Sequence, residues 1–320
     1  MGGLTLGHPL LFAPMAVALG LLAAGAVILY AGAETAVRGA ARFARAAGIP
    51  AFVLGAVLFG LDIEGLGTAL IAAGRGQTQI AAGEIFGTVL FLFSIAFGLS
   101  LILARQPVPS PSPMMVVAPA ASMTAAAAAL FDRFVSRPEG AFLLALYVVY
   151  LVLVIRKGGV VEERTEALET ERATGLRLAL LTLGGLALLY VGATLLVAGG
   201  TRLVDRTTLA AGFVGAAIVG TLTSLDEVLL EVLPVRRGSP DLATGNLFGT
   251  LAAFTTGVLG LAALVRPLDV DGAANTAFLT MGFLYAVVST VFLLRGRAGR
   301  FLGVFVFVVY GLWLVLTATV

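Results

Sequence analysis

The chain has 320 residues, of which 59% are hydrophobic and 12% are charged, and its mean hydropathy is +1.05. Soluble domains carry about 25% charged residues, so this composition indicates an integral membrane protein. The chain lacks cysteine, which excludes disulfide bonds and thiolate metal sites. Its one histidine, His8, lies near the N-terminus, which argues against a histidine-based catalytic triad. The net charge is only +2. The basic residues are almost all arginines that lie between apolar runs, which is a topology signal and not a nucleic-acid-binding patch.

Ten apolar segments follow one another along the chain, each close to the roughly 20 residues that a helix needs to span a bilayer. The predicted spans are 10–33, 49–74, 78–104, 114–134, 139–156, 175–200, 208–236, 240–265, 272–295 and 300–320. A charged stretch at 157–174 separates the first five from the second five and predicts a solvated cytoplasmic connector. We therefore predict an all-α integral membrane fold of about ten transmembrane helices, with a first five-helix repeat at 1–156 and a second at 175–320.

The two halves resemble each other in sequence. A shift of 162 positions aligns Gly76 with Gly238, Gly83 with Gly245, Phe86 with Phe248, Gly87 with Gly249 and Thr88 with Thr250. The repeated regions are about 52–104 and 214–266. Because five spans is an odd number, the second half enters the membrane in the opposite orientation, the inverted-repeat plan of secondary transporters.

Basic residues predict how the protein is oriented. The loops after the first, third, fifth, seventh and ninth spans hold fourteen of the 20 arginines and lysines, and the other loops hold six. By the positive-inside rule the first set of loops is cytoplasmic. Both termini are then extracytoplasmic. The N-terminus lacks the basic start of a secretory signal, so we expect the first span to be a retained helix.

Six acidic residues lie within the apolar repeats, where charge is costly and usually marks an ion pathway: Asp62, Glu64, Glu84, Asp226, Glu227 and Glu231. If several converge, they cannot all be ionised unless cations neutralise them. Thr223, Glu227 and Glu231 are spaced four residues apart, which predicts that they share one helix face.

The second repeat carries a family resemblance. Thr223-Ser224-Leu225-Asp226-Glu227-Val228, followed by Gly245-Asn246 and Gly249-Thr250, resembles the second alpha-repeat of the cation/calcium antiporter superfamily. That superfamily includes the sodium/calcium exchangers, whose pattern is G-T-S-x-P-E-L, a short turn, then G-N-x-x-G-S. The resemblance covers roughly 17–104 and 184–266. It implies that Glu227 is an ion-binding residue, flanked by Thr223 and Ser224 and faced by Asn246.

The first repeat departs from this pattern. Gly65 stands at the position of Glu227, Glu64 precedes it, Glu84 replaces the expected asparagine or aspartate, and Asp62 stands where a serine or threonine is usual. Glu64 and Asp226 occupy the places of the two family prolines. Either the first-repeat helix is shifted by one residue to bring Glu64 to the site, or the protein uses a different set of ion ligands.

Glycines are expected to set helix contacts. Gly25 and Gly32 in the first span reappear as Gly192 and Gly199 in the sixth, and small residues let membrane helices approach closely. The repeated glycines Gly83, Gly87, Gly245 and Gly249 are expected to permit close approach and local unwinding.

The resemblance implies a secondary-active cation antiporter that exchanges Ca²⁺ or a related cation for Na⁺ by alternating access, with the first and sixth helices sliding across the rest of the bundle. One alternative is a cation/proton antiporter of the same fold, since the extra acids offer protonatable groups. Another is a non-transporting membrane scaffold or sensor. We expect a multi-pass protein of the cell (inner) membrane that is not an enzyme. Its expected partners are inorganic cations and lipid, with no cofactor, no nucleic acid and no obligatory protein partner.

Overall fold

A computed structural model describes residues 9–46, 62–111, 113–157, 175–225, 227–237 and 240–318. Five helices are described in the first half: α1 Pro9–Ala46, α2 Ile63–Gly74, α3 Thr78–Leu103, α4 Pro113–Ala129 and α5 Arg137–Lys157. Apart from Lys157, the predicted connector at 157–174 lies outside the described residues. The beginning of the predicted second span, at 49–61, also lies outside them.

Six helices are described in the second half. These are α6 Gly175–Arg206, α7 Ala211–Thr223, α8 Glu227–Arg237, α9, α10 Gly272–Arg295 and α11 Arg300–Ala318. Helix α9 has three consecutive pieces, Pro240–Ala252, the π-helical turn Ala253–Val258, and Leu259–Val265. The predicted seventh span, 208–236, is thus two helices, and their axes are bent by 51°.

Six of the described helices are long and apolar enough to cross a bilayer, and the bent pair α7 and α8 would make a seventh crossing. Helix α5 corresponds in position to α11, which is one of the six. The six apolar helices, the bent pair, α4, α5 and the described part of the second span together confirm the all-α membrane fold with two repeated halves.

The repeat is visible in the bounds of the helices. Helix α3 begins at Thr78 and α9 at Pro240, which are 162 residues apart, and α3 contains a π-helical turn at Leu92–Ala96 like that in α9. In each turn a hydroxyl bonds the carbonyl four residues back: Ser94 bonds Leu90, and Thr256 bonds Ala252 at 2.6 Å. Such bonds compete with the helical ladder and bend helices, so the same feature arises in both halves.

Two short strand pairs tie the halves together. Strand β1, Val108–Pro109, follows α3 and pairs antiparallel with β4, Arg297–Ala298, which follows α10. Strand β2, Phe134–Val135, follows α4 and pairs antiparallel with β3, Leu268–Asp269, which follows α9. Each pair joins one loop of the first half to one loop of the second.

Helices α1 and α6 pack antiparallel through the predicted glycines. A Cβ at Gly25 would lie 3.0 Å from the carbonyl oxygen of Gly192, and one at Gly192 would lie 2.9 Å from that of Gly25. Further along α1, Gly32 contacts the earlier residue Leu189 of α6. The close approach predicted for this helix pair is therefore confirmed.

Helices α3 and α9 form the centre of the bundle. Phe86 and Phe93 on α3 and Phe248 on α9 are fully buried, and the rings of Phe93 and Phe248 are 6.1 Å apart. Helices α1 and α6 instead expose large apolar side chains, such as Val27 and Leu180, on their outer faces. The repeated motifs therefore lie at the core, and α1 and α6 lie at the periphery.

Candidate ion-binding site

The broken seventh span places the first group of polar residues. Thr223 ends α7, and its hydroxyl bonds the carbonyls of Val219 at 3.2 Å and Gly220 at 3.0 Å. The helix stops at Ser224, and α8 begins at Glu227. The prediction that Thr223 shares one helix face with Glu227 and Glu231 is wrong, because this break separates them. Glu227 and Glu231 do share a face of α8.

Asn246 on α9 joins these two glutamates. Its amide nitrogen donates to Oε2 of Glu227 at 2.6 Å and to Oε1 of Glu231 at 3.2 Å. Both glutamates are buried, with 2% and 0% of their surfaces exposed. Thr250 donates to Oδ1 of Asn246 at 3.5 Å. Among the described residues, Oε2 of Glu231 has no hydrogen-bond partner. The buried carboxylates of Glu227 and Glu231 thus share the amide group of Asn246.

Glu84 on α3 supplies a carboxylate from the first repeat. It is fully buried, and its Oε1 accepts hydrogen bonds from Thr88 at 3.3 Å and from Thr223 at 3.5 Å. Its Oε2 has no hydrogen-bond partner within the described ranges. A buried carboxylate bonded by two hydroxyls, with one oxygen left over, has the oxygen-rich surroundings that a cation requires.

Asp62 is the second acidic residue on this side. It is the N-cap of α2, and its Oδ1 accepts a hydrogen bond from the backbone nitrogen of Gly65 at 2.9 Å. Its backbone φ of 24° lies in the left-handed region, which is costly for a residue other than glycine. Only 7% of its surface is exposed. Asp62 therefore has a structural role as a cap, and it lies beside the candidate site.

Gly65 shows how the first repeat is arranged. A Cβ at this position would lie 2.9 Å from Oδ2 of Asp62, 2.9 Å from Oε1 of Glu84 and 2.8 Å from Cζ of Phe254. Position 65 therefore faces both carboxylates, as the 162-residue alignment with Glu227 predicts. This geometry favours the second alternative, a different set of ligands, which stays a prediction. Glu64 is half-buried, and successive helix residues point about 100° apart, so its role as a ligand stays a prediction.

The two repeats meet through hydroxyl groups. Thr223 of α7 contacts Glu84 of α3, and Ser224 donates to the hydroxyl of Thr88 at 3.2 Å. Thr223, Ser224 and Thr88 are all fully buried. We call the set Asp62, Glu84, Thr88, Thr223, Ser224, Glu227, Glu231 and Asn246 the acidic track. It runs from α2 and α3, through the helix break, to α8 and α9.

Glycines let α3 and α7 approach closely enough for these contacts. Gly83 and Gly87 lie against the backbone of Gly212 and Ala216 on α7. The predicted close approach is therefore confirmed for these two glycines. The predicted unwinding is wrong, because Gly83, Gly87, Gly245 and Gly249 all lie within continuous helix, and the described chain leaves the helical conformation instead at Ser224 and Leu225.

The acids of the track form two separate pairs. Asp62 and Glu84 converge at Gly65, whereas Glu227 and Glu231 share Asn246. Within the described part of the chain, no three acidic side chains come close enough to hold one metal ion. The predicted ligand Asp226 lies outside the described residues.

Two contacts at the candidate site were not predicted from the sequence. The spacing of Glu231 from Glu227 was visible in the sequence, but the contact of Glu231 with Asn246 was not. Tyr30 on α1 contacts the backbone on both sides of Thr223 and Ser224. A lone tyrosine in an apolar span is also typical of the membrane interface, so no sequence signal indicated this contact.

Comparisons with known proteins agree over most of the chain. A family model described as sodium/calcium exchanger protein matches residues 17–156 and 177–319. The inner membrane protein YrbG of Escherichia coli (strain K12) is 26% identical over 313 residues, which cover 94% of this chain and 96% of that protein. The putative antiporter CaxA of Alkalimonas amylolytica is 26% identical over 260 residues, covering 78% and 81%.

A solved structure shows the same fold. The sodium-calcium exchanger NCX_Mj, in a crystal soaked with Na⁺ and Sr²⁺, matches with a TM-score of 0.61 at 23% identity. The match covers 93% of this chain and 98% of that chain.

Proposed function

Since the chain belongs to the sodium/calcium exchanger protein family, we propose that it is a secondary-active antiporter that exchanges Ca²⁺ or a related divalent cation for Na⁺. The match to the family confirms the resemblance found in the sequence, and the chain is a multi-pass membrane protein. Its family consists of exchangers, which agrees with the expectation that the chain is not an enzyme.

The acidic track is the observation that carries this proposal. Glu84, Glu227 and Glu231 are almost completely buried in a protein that spans a membrane. Ionisable side chains are rare at such depth and mark ion pathways. The track lies where the two inverted halves meet, which is where secondary transporters place their sites.

We assign the cation ligands from both halves. Glu84, with Asp62 beside it, supplies the carboxylate of a first-repeat subsite. Glu227 supplies the carboxylate of a second-repeat subsite, where Asn246 bonds it, and Thr223 and Ser224 lie at the helix break between the two. All of these offer oxygen atoms, which Ca²⁺ prefers. Glu64 and Asp226 stay candidates from the sequence.

The helix break adds partial charges to the site. The carbonyl end of α7 and the amide end of α8 both adjoin Ser224. Interrupted helices of this kind let transporters coordinate cations with backbone carbonyls. Glu227 lies in the first turn of α8, at the positive end of the helix dipole, which favours negative charge.

Exchange follows from neutralisation of the two acidic pairs. Without cations, the carboxylates of each pair repel each other in a medium of low dielectric. Sodium ions or a divalent cation remove this repulsion, so the protein is stable when one kind of ion or the other is bound. We propose that the peripheral helices α1 and α6 then slide across the bundle and expose the track to the other side.

Proton coupling is the second candidate. Asp62 and Glu231 lie at positions of the repeat where the family pattern does not require an acid, and they add two carboxylates to the track. Protons could then replace Na⁺ as the counter-ion.

We place the protein in the cell (inner) membrane with both termini extracytoplasmic, and the transport cycle proposed requires neither a resident cofactor nor a partner protein.

The test is uptake of radiolabelled calcium into proteoliposomes that hold the purified protein. An outward Na⁺ gradient and an outward proton gradient are applied in separate experiments. We expect uptake that depends on the Na⁺ gradient and is lost in Glu227→Gln. Glu34→Gln is the matched control, since Glu34 is an exposed glutamate on α1, and this variant should transport like the parent.

Uptake driven by the proton gradient alone would replace sodium with protons as the counter-ion. Absence of uptake under both gradients, from protein that elutes as a single folded species, would contradict calcium exchange and favour a non-transporting role.

A further inference from the structure

Tyr30 on α1 forms hydrogen bonds to the backbone at the helix break. The hydroxyl of Tyr30 donates to the carbonyl oxygen of Leu222 at 2.9 Å and accepts from the backbone nitrogen of Leu225 at 2.9 Å. These partners are more than 190 residues away in the sequence, so the contact depends on the tertiary fold.

The two backbone groups are those that a broken helix leaves unsatisfied. Leu222 lies in the last turn of α7, whose carbonyls have no partner within the helix, and the amide of Leu225 belongs to the non-helical turn that follows. At membrane depth, water does not satisfy them. A phenol donates and accepts at once, so one hydroxyl group bridges both sides of the break.

The bridge encloses two proposed ion ligands. Thr223 and Ser224 lie between Leu222 and Leu225, and their hydroxyls contact Glu84 and Thr88. If both ends of this four-residue segment are fixed, the directions of both hydroxyls are fixed as well. The first residue of α8, Glu227, follows two positions later.

We propose that Tyr30 is a positioning residue that holds the break in its ion-binding geometry and couples the position of α1 to the acidic track. Helix α1 packs chiefly against α6, through Gly25 and Gly32. Movement of α1 relative to α7 and α8 must therefore break both hydrogen bonds of Tyr30 or carry the ligand segment with it. The predicted effect on transport rests on the proposed function. The claim that Tyr30 holds the helix break does not.

The matching helix of the other half differs at the position of Tyr30. Aligning α1 with α6 by their glycines, Gly25 with Gly192 and Gly32 with Gly199, places Tyr30 opposite Val197. Valine has no hydroxyl group. The hydroxyl bridge of Tyr30 is therefore not repeated at the matching position of α6.

The test compares Tyr30→Phe with Tyr190→Phe, a matched change on α6 at a tyrosine that is 58% exposed. Hydrogen–deuterium exchange is measured on peptides that cover residues 220–230. In Tyr30→Phe we expect exchange there to accelerate roughly tenfold or more, because the variant loses both hydrogen bonds of the hydroxyl group, with peptides from α3 unchanged. Tyr190→Phe should behave like the parent.

Calcium uptake provides the second measurement. Tyr30→Phe should raise the half-saturating calcium concentration several-fold and change the maximal rate less, because the ligands are displaced but still present. Unchanged exchange at 220–230 would overturn the proposal. Faster exchange with an unchanged half-saturating concentration would overturn the link to ion binding. If the parent takes up no calcium under either gradient, the proposed function fails, and the exchange data still decide whether Tyr30 holds the break.

Discussion

The carboxylate of Glu84 occupies the space that a side chain at Gly65 would need, since its Oε1 lies 2.9 Å from the position of a Cβ there. The 162-residue repeat aligns Gly65 with Glu227 and Glu84 with Asn246. The second half thus pairs glutamate on α8 with an amide on α9, and the first half pairs glycine on α2 with glutamate on α3. We propose that α3, which faces α2, supplies the first-repeat carboxylate.

A methyl group at position 65 should therefore disrupt the site. Gly65→Ala would push against Asp62, Glu84 and the ring of Phe254, and overpacking of this kind typically costs about 1–3 kcal/mol. We expect a lower thermal unfolding temperature and strongly reduced calcium uptake. Gly74→Ala on the same helix is the control, because its Cβ would meet Val265 at an ordinary 3.8 Å. Equal behaviour of the two variants would argue against tight packing at Gly65.

Removal of one charge from the second acidic pair should have opposite effects with and without cations. Glu231→Gln removes the repulsion between two carboxylates that share Asn246, so the cation-free protein should unfold at a higher temperature than the parent. The same variant loses a cation partner, and the half-saturating calcium concentration should rise roughly tenfold, equivalent to about 1.4 kcal/mol. Thermal unfolding in chelator, followed by titration with calcium, measures both effects. A variant less stable than the parent in chelator would contradict the repulsion.

The helical fold could be predicted because the membrane restricts the choice of structures. Backbone groups must be satisfied internally in lipid, so apolar length alone indicated most helices. The predicted third span, 78–104, is observed as Thr78–Leu103, and the repeat predicted the matching start of α9 at Pro240.

The helix break and the position of Glu84 could not be predicted in the same way. The seventh span has apolar residues on both sides of residues 224–226, and the family proline that would indicate an interruption is replaced by Asp226. The carboxylate of Glu84 lies at Gly65 because a missing side chain opens a space between two helices. That relationship depends on tertiary packing, which spacing along the chain does not report.

Helices α1 and α6 should separate if their glycine contact is blocked. A Cβ at Gly192 would lie 2.6 Å from the Cα of Leu29, and backbone cannot move aside as a flexible side chain does. Gly192→Ala should therefore lower the thermal unfolding temperature and slow calcium uptake. Gly184→Ala lies on the same helix with open space around it and should leave both unchanged. Normal uptake by Gly192→Ala would show that this close contact is not needed for transport.

The assignment of the first-repeat carboxylate is the central claim, and calcium uptake by Glu84→Gln and Glu64→Gln, reconstituted side by side under an outward Na⁺ gradient, tests it most directly. Glu84 is fully buried and bonded to Thr223 of the other half, whereas Glu64 is half-buried. We predict that Glu84→Gln reduces uptake to the level of empty liposomes and that Glu64→Gln retains most of it. Full activity of Glu84→Gln together with loss of activity in Glu64→Gln would contradict the account.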